Sequence, residues 1–376
     1  DYSGGATCPS LLLEPSRTNL IGYSEYLGSI LIGNRMDIND LVDTSPEGLV
    51  NASKLVPDTT PNSTHQSNTS NYGSFVSGDK ITISIFAKAD GFDGIILRFL
   101  NESGAFTTNH IAKFDLSRGR WENTSMDGTT GVMSGEVGME ALGNGWYRCF
   151  ATATADASGD VDIRIPVADV TAEDVYDEVF TGDGTKGVLI YGLQVEEGSY
   201  PTSYIPNHSG GTITRTADLA TKTGLTSSIN STEGTMFLDF KALANTLPSE
   251  YSYFSMSDGT YNNRISILQS IAGTNQVRAF AFVGGTKVFD LNDSVTDITT
   301  QTKVAVRYAN NAFDLFVNGA KVATDTSGSI FPSDTLDRVS FSEIGTTTSN
   351  FKGKVNQVLV FQETLSDADC ISLTTL

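Results

Sequence analysis

Cysteine, basic residues and long apolar segments are all scarce in this sequence, and each shortage excludes a class of protein. The 376 residues include Cys8, Cys149 and Cys370, whose wide separation argues against a zinc motif and against a disulfide framework. We expect buried free thiols, with one long-range disulfide as the alternative. The 24 Lys and Arg residues stand against 44 Asp and Glu, and this net charge of -20 repels nucleic acids and anionic membranes.

Apolar runs are short throughout the chain. None reaches the roughly 18 apolar residues that a membrane-spanning helix needs, so we expect no membrane insertion. The first residues, "DYSGGATCPSLLLEP", contain neither an initiator Met nor a charged and then apolar signal segment. We therefore expect the natural chain to extend upstream of this sequence, or to have lost its start.

The sequence is rich in Gly, Thr and Ser, and in short segments that alternate apolar with polar residues. "KITISIFAKA" places Ile81, Ile83 and Ile85 on one face of a strand. "GNGWYRCFATATA" begins with a turn and continues into a strand that carries Tyr147 and Cys149 on the same face. Short strands separated by turn residues are typical of antiparallel sandwiches.

The second half repeats this pattern and ends differently. "KVAVRYANNAFDLFVNGAKVATD" predicts two hairpins, with turns at Asn310-Asn311 and Asn318-Gly319 because such pairs accept positive φ angles. In the closing "LSDADCISLTTL", Ser366 followed by Asp369 three residues later resembles a capping box before a short helix.

The fold class that these patterns predict is all-β, with two antiparallel β-sandwiches of jelly-roll type in tandem behind a short N-terminal arm. The predicted boundaries are an arm at 1–20, a first sandwich at 21–206, a Gly/Ser/Thr linker at 207–224 and a second sandwich at 225–376. Just before the linker, Tyr200 and Tyr204 are expected to hold the chain against the first sandwich.

Four phrases of the first 220 residues resemble virion proteins of tailed bacteriophages. "LLLEPSRTNLIGYSE" is similar to an opening in which Leu-Leu-Glu-Pro-x-x-Thr-Asn-Leu precedes Tyr-Ser-Glu, and "GNGWYRC" resembles a Gly-x-Gly-Trp-Tyr-Arg phrase. "TGDGTKGVLIYGLQVEEGSYPTSYIP" resembles the segment of those proteins that ends in Pro-Thr-Ser-Tyr-Ile-Pro, and "TRTADLA" resembles their exit. The resemblance spans 8–220 and implies a carbohydrate-binding-module-like sandwich there.

The second half resembles concanavalin A-like, laminin-G-type jelly rolls. The phrases "FDLFVNGAKVA" and "FKGKVNQVLVFQETLSDADCISL" carry this resemblance, which covers 225–376 and indicates fold better than function. The phage resemblance further implies a head-fibre, decoration or tail-fibre protein at the virion surface, joined to other virion proteins through an upstream N-terminal region. It also implies a homo-oligomer, usually a trimer, whose assembly covers strand edges.

Groups for catalysis are hard to find. A sandwich glycosidase needs two carboxylates about 5 to 9.5 Å apart, but Glu196 shares its strand face with Gln194 and Gly192. We interpret Glu196 and Glu197 as structural or solubilising residues. No partner at metal-ligand spacing accompanies the three histidines His65, His110 and His208. We therefore predict that the chain is not an enzyme and needs no cofactor.

Calcium is the metal that the sequence best accommodates. "DVYDEVFTGDGT" offers Asp174, Asp177 and Asp183, and "SMSDGTYNN" offers Asp258 and Asn262, all of them oxygen ligands in turns. Ordinary turn chemistry explains Asp and Asn in these places equally well. The candidate Ca²⁺ ligands are therefore Asp177, Asp183 and Asp258.

Aromatic and amide side chains near one loop of the second sandwich are the preferred candidates for contact with a glycan. The segment "SEYSYFSMSDGTYNNR" brings together Tyr251, Tyr253, Tyr261, Asn262 and Asn263. Of the two tryptophans in the first sandwich, Trp146 is expected to be a packing residue, and Trp121 is a candidate sugar contact, with a packing role at the sandwich edge as the alternative.

These observations lead to one functional hypothesis and two alternatives. The hypothesis is a non-enzymatic structural protein displayed on a phage particle, which binds glycans of the host surface during adsorption. The first alternative is a polysaccharide depolymerase of the same particle, and the second is a secreted bacterial adhesin that shares a module with phage proteins.

Overall fold

The computed structural model describes residues 9–102, 104–124, 131–170, 176–244, 251–270, 275–343 and 350–376. The chain divides into two compact units. Arg17–Arg215 forms the unit here called the N-terminal sandwich. Asp1–Ser16 and Thr216–Leu376 together form the other, the C-terminal sandwich. In sequence, the N-terminal sandwich is therefore an insertion within the C-terminal one.

The strands follow one another along the chain with few other elements between them. The first strand, in the C-terminal sandwich, is β1 (Leu11–Leu13). The strands of the N-terminal sandwich are β2 (Arg17–Asn19), β3 (Ile32–Asn34), β4 (Met36–Thr44), β5 (Val50–Pro57), β6 (Ser63–Thr64), β7 (Gln66–Phe75), β8 (Lys80–Asp90), β9 (Gly94–Phe99), β10 (His110–Asp115), β11 (Arg120–Glu122), β12 (Gly131–Val132), β13 (Val137–Gly143), β14 (Trp146–Thr154), β15 (Gly159–Val170), β16 (Tyr176–Asp177), β17 (Val179–Phe180), β18 (Gly187–Glu197) and β19 (Ile213–Arg215). The remaining elements are β20 (Thr221–Thr223), β21 (Glu233–Ala242), β22 (Tyr251–Ser257), β23 (Arg264–Ser270), β24 (Gln276–Val283), β25 (Thr286–Ser294), β26 (Thr302–Ala309), β27 (Ala312–Val317), β28 (Ala320–Asp325), β29 (Arg338–Ser340), β30 (Gly353–Phe361) and the helix α1 (Asp367–Thr374).

Two sheets form the N-terminal sandwich. Sheet I has the order β11-β10-β9-β15-β7-β3, with β12 beside β10 and β16 beside β15. Sheet II has the order β13-β14-β8-β18-β5-β4. Apolar side chains from both sheets meet in one core, for example Phe99 and Ile163 of sheet I with Ile83 and Cys149 of sheet II. The antiparallel sandwich predicted for this half of the sequence is confirmed.

The alternating strands behave as their pattern predicts, but both of their faces are buried. Strands β8 and β14 pair so that Ile85 lies opposite Cys149, and both side chains point into the core. On the other face of sheet II, Phe86 and Trp146 form a second apolar cluster, against which Tyr204 packs. Trp146 is thus a packing residue, as expected.

The C-terminal sandwich is built in the same way from two sheets. Sheet III has the order β1-β30-β21-β26-β27-β28, and sheet IV has the order β20-β29-β22-β23-β24-β25. Their shared core includes the buried rings of Phe240, Phe254 and Phe313. Helix α1 packs on the other face of sheet III, where Cys370 contacts Phe316. The predicted all-β class is therefore confirmed for both halves.

The predicted arm and linker both contain strands. Leu11–Leu13 pairs with β30 as the edge strand of sheet III. Nearby, the backbone N–H of Glu14 donates to Asp218 Oδ2 at 2.9 Å, and the N–H of Asp218 donates to the carbonyl of Glu14 at 3.0 Å. Within the predicted linker, β19 pairs with β2, and β20 joins sheet IV.

The cap prediction and the turn prediction at Asn318-Gly319 are confirmed, whereas the pair Asn310-Asn311 does not have the two positive φ angles that were predicted. Asn318 and Gly319 both have positive φ angles, as a type I′ hairpin turn requires, whereas in the other hairpin only Asn311 does. Ser366 caps α1, since its hydroxyl accepts a 3.1 Å hydrogen bond from the N–H of Asp369. Among the described residues, no helix has the length and apolar character needed to cross a bilayer.

Candidate functional site

A groove of about 280 Å³ lies on the outer face of sheet IV, the face that points away from the core. Strand alternation produces it, because Ile265 and Ile267 of β23 point inward while Arg264 and Leu268 point outward. The pairing register then places outward residues of neighbouring strands side by side. Leu268 lies opposite Tyr253, and Arg264 lies opposite Phe282.

Aromatic and aliphatic side chains form the floor of the groove. Tyr253, Leu268 and Phe280 are each less than 10% exposed and pack as a separate cluster, with Phe282 half-buried at its margin. The ring of Phe280 meets Tyr253 edge-on at 6.3 Å and Phe282 edge-on at 5.9 Å. An apolar floor on the outside of a sheet is unusual, because the outward face of an antiparallel sandwich normally carries polar residues.

Arg264 stands in this aromatic surrounding and is only 7% exposed. Its guanidinium carbon lies 4.4 Å from the ring centre of Phe282, 5.1 Å from that of Tyr261 and 5.6 Å from that of Phe280. The Nη1 group donates to the carbonyl of Tyr261, and the described residues provide no hydrogen-bond partner for the buried Nε. Burial lowers the pKa of the Arg264 guanidinium, while the nearby charge of Glu343 acts in the opposite direction.

The opposite wall of the groove carries two further cations. Arg278 Nε donates to Asp290 Oδ1 at 2.5 Å, and Lys287 Nζ donates to Asp290 Oδ2 at 2.7 Å. The hydrogen bonds from Arg278 hold the pKa of the Asp290 carboxyl below its usual value. With Glu343 also in the lining, cationic side chains outnumber carboxylates around the groove.

The structure places the predicted glycan-contact residues in different roles. Tyr253 lies in the floor of the groove, and Tyr261 stacks on Arg264 at its margin. Asn263 holds the loop, because its amide nitrogen donates to Asp258 Oδ2 at 2.8 Å and its oxygen accepts from the N–H of Gly284 at 2.9 Å.

Asn262 and Trp121, two of the predicted contact residues, are not in the groove lining. The carbonyl of Asn262 accepts from the N–H of Gly285 at 3.0 Å, and its side chain is exposed. The side chain of Tyr251 lies outside the described residues. Trp121 belongs to the N-terminal sandwich, on strand β11 at the edge of sheet I, and is 46% exposed.

Sequence reasoning missed Arg264, Arg278, Phe280 and Phe282. A signal was present in "QVRAFAFVGG", where Arg278, Phe280 and Phe282 alternate with the small or apolar residues that face the core. A strand that is apolar on both faces, with a cation on the outward one, indicates either a covering element or a binding surface.

Two of the candidate calcium ligands, Asp183 and Asp258, lie in turns that use their carboxylates. Asp183 accepts from the N–H groups of Lys186 and Thr185, and these bonds lower its pKa to about 2. Burial raises the pKa of Asp258, but hydrogen bonds from Asn263 and Thr260 outweigh it and the net shift is downward.

The calcium prediction also includes Asp174 and Asp177. The backbone of Asp177 lies in β16, but its side chain, like the whole of Asp174, is outside the described residues. In the described part of the chain, no group of three or more His, Cys, Asp or Glu residues is placed to hold a metal ion.

Glu196 is fully buried, and its carboxylate accepts hydrogen bonds from neighbouring residues. Its Oε1 accepts from Gln194 Nε2 at 2.7 Å and from the N–H of Thr202 at 2.9 Å, and its Oε2 accepts from the Thr202 hydroxyl at 2.7 Å. Arg17 Nε lies 3.8 Å from Oε2. The carboxylate thus fastens the segment after β18 to the outer face of sheet II, whereas neighbouring Glu197 is exposed.

Two of the histidines contact backbone carbonyls, and the two described cysteines are buried. His65 is buried between two carbonyls, with Nδ1 2.7 Å from the oxygen of Arg35. His110 Nδ1 lies 2.8 Å from the carbonyl oxygen of Val132. Cys149 and Cys370 are free and buried, and burial raises the pKa of both thiols, to about 11 for Cys370.

Comparison with known proteins yields similar structures for part of the chain. No family model matches the sequence, and no curated protein matches it. The CBM40 module of the Ruminococcus gnavus IT-sialidase, bound to α2,3 sialyllactose, is similar at 22% identity and a TM-score of 0.33, over 40% of this chain and 85% of that one. The leech intramolecular trans-sialidase is similar at 22% identity and a TM-score of 0.33, over 38% of this chain and 23% of that one.

A third solved structure extends the range of similar proteins. The heptameric SAP-like pentraxin of Limulus polyphemus is similar at 12% identity and a TM-score of 0.32, over 39% of this chain and 71% of that one. Similarity at these levels gives no information about ligands. The function is therefore inferred from the groove itself, within a chain whose fold is a pair of antiparallel β-sandwiches.

Proposed function

We propose that this protein is a non-enzymatic glycan-binding protein and that the groove on sheet IV is its sugar site. The observation that carries the proposal is the combination, in one groove, of an aromatic floor with several N–H donors around it. Tyr253, Phe280 and Phe282 supply the ring surfaces, and Arg264 and Arg278 supply the donors.

A sugar ring has a matching surface. One face of a pyranose presents C–H groups, which pack on aromatic rings, and its rim presents hydroxyls, which accept hydrogen bonds from guanidinium groups. The groove volume of about 280 Å³ is close to the lower end of the range for small-ligand pockets. This size suits a short terminal segment of a glycan better than a long chain.

The carboxylates of the groove support the non-enzymatic part of the proposal. Glycoside hydrolysis uses one carboxylic acid and a second carboxylate about 5 to 9.5 Å away. Among the described lining residues Glu343 is the one carboxylate, and Asp290 behind the wall is bound by Arg278 and Lys287. A depolymerase would release new reducing ends from host polysaccharide incubated with the protein, and we expect none.

The proposal also includes the location of the protein, which is the surface of a phage particle. The phrases around Leu11–Asn19 and Gly187–Glu197 support display on the surface of a phage virion, as a homotrimer joined to other virion proteins. Peptides of this chain in purified particles, with antibody labelling at their surface, are the expected result. Their absence from particles, with labelling on a cell envelope, would favour a secreted adhesin.

Truncation of Phe282 tests the sugar site. After a glycan array has identified a ligand of the full chain, we expect Phe282→Ala to weaken its binding about tenfold, or ~1.4 kcal/mol, because an apolar ring face is lost. Trp121→Ala is the matched control, since it removes a half-exposed aromatic ring from the other sandwich. Unchanged binding by Phe282→Ala together with weakened binding by Trp121→Ala would refute the assignment.

A further inference from the structure

The groove concentrates positive charge in a chain whose net charge is -20. Arg264, Arg278 and Lys287 all line it. The carboxylate of Asp290 binds both Arg278 and Lys287, and Glu343 also lines the groove, so that among the described residues three cations stand near two carboxylates. A local excess of cations on an acidic protein attracts anions to this place, while the rest of the surface repels them.

Arg264 is the most informative of these cations, because its charge is buried and no carboxylate of the described residues bonds to it directly. In the same sandwich, half-buried Arg307 bonds to Asp314 and lies 2.7 Å from Asp367. The described residues give Arg264 one hydrogen-bond acceptor, the carbonyl of Tyr261, and leave its buried Nε without any. Taking an arginine out of water without a bound anion is costly, and this cost is offset when an anionic ligand supplies the missing acceptors.

We propose that the groove selects acidic sugars and that Arg264 binds the anionic substituent, a carboxylate or a sulfate, while the ring of the sugar packs on the aromatic floor. This inference rests on the proposed glycan binding and names its substrate class. Arg278 and Lys287 add attraction at the opposite wall. The planar guanidinium of Arg264 presents paired N–H groups, which match two oxygens of one anionic group.

Matched saccharides test the inference on the full chain. The probes are trigalacturonate and its fully methyl-esterified form, which differ in charge and share a backbone, and dextran sulfate with unmodified dextran as the second pair. Affinities are measured by isothermal titration calorimetry near 150 mM salt, where long-range attraction between exposed charges is screened.

We expect at least one charged probe to bind roughly 10- to 100-fold more tightly than its neutral partner, the ratio that a charged hydrogen bond produces. Preference within the galacturonate pair identifies a carboxylate ligand, and preference within the dextran pair identifies a sulfate ligand. Equal binding within both pairs overturns the inference and leaves the proposed glycan binding intact. If neither these probes nor any glycan of an array binds, the proposed function fails together with it.

Variants connect the preference to Arg264. Arg264→Met, which keeps a long apolar side chain against Phe282, should abolish the preference, so that the charged and the neutral partner bind with equal affinity. Lys222→Met on β20, at the far edge of sheet IV, removes an exposed positive charge and should retain the preference. If Arg264→Met unfolds, Lys287→Met gives the second measurement, with an expected twofold to threefold loss of preference, about the effect of an exposed charge. If Arg264→Met keeps the full preference for the charged probe, the assignment is overturned. The same holds for Lys287→Met if that variant has to be used instead.

Discussion

Replacement of Glu196 by alanine tests how the segment after β18 is attached to the N-terminal sandwich. The carboxylate accepts three hydrogen bonds, two of them from Thr202, and it is fully buried beneath that segment. Truncation leaves the N–H of Thr202 and the amide of Gln194 without an acceptor. It also leaves Arg17 without its nearest carboxylate.

The expected loss of stability is large for a single side chain. Breaking a buried charged network by removal of one partner costs about 3 to 5 kcal/mol. Glu196→Gln retains one carbonyl oxygen for the Thr202 N–H and should cost less, about 1 to 2 kcal/mol, because charge and one acceptor are lost. Glu197→Gln, at the exposed neighbouring position, should change the free energy of unfolding by less than about 0.5 kcal/mol.

Urea unfolding followed by tryptophan fluorescence reports these changes for the N-terminal sandwich. The sequence has 2 tryptophans, and both, Trp121 and Trp146, lie in the N-terminal sandwich. The midpoint should therefore fall in the order Glu197→Gln, Glu196→Gln, Glu196→Ala, with a nearly constant slope. Equal midpoints for the Glu196 and Glu197 variants would refute the reasoning.

Two further predictions concern pH and calcium. Burial raises the pKa of Asp314, but hydrogen bonds from Lys321, Thr324 and Arg307 outweigh it and lower the pKa overall. The ionised Asp314 therefore contributes to the stability of the fold above about pH 4, and this contribution is lost as pH falls through the lowered pKa. Asp314→Asn should therefore lower stability at pH 7 and flatten its decline below about pH 4; an unchanged acid slope in calorimetry would contradict this. Because the carboxylates of Asp183 and Asp258 are occupied by turn hydrogen bonds, we expect EDTA and added Ca²⁺ to leave the Tm unchanged, whereas a Tm raised by Ca²⁺ would establish a site.

Much of the fold was predictable from local pattern. The alternation around Ile81–Ile85 and the Asn318-Gly319 turn depend on neighbouring residues, and the structure confirms both. The strand Leu11–Leu13 was not predictable, because three leucines show no alternation and their partner, β30, lies at the other end of the chain. Local sequence carries no information about such a pairing.

The groove was predicted only in part, because strand pairing brings its residues together. Tyr253 was identified because aromatic residues cluster near it in sequence, whereas Arg264 and Phe282 come together only through the pairing of β23 with β24. Asn263 has the residue type of a sugar contact, but its amide closes a turn onto Asp258. Residue type and position in sequence thus indicated a loop beside the groove, and the pairing register of sheet IV was needed to find the groove itself.

The most direct test of the central claim is a crystal structure of the full chain with a bound oligosaccharide, chosen as the tightest binder on a glycan array. The account predicts density for a sugar ring against Phe282 on sheet IV, with a hydroxyl or an anionic group bonded to Arg264. Ordered sugar at Trp121 in the N-terminal sandwich, with the groove on sheet IV empty, would contradict it.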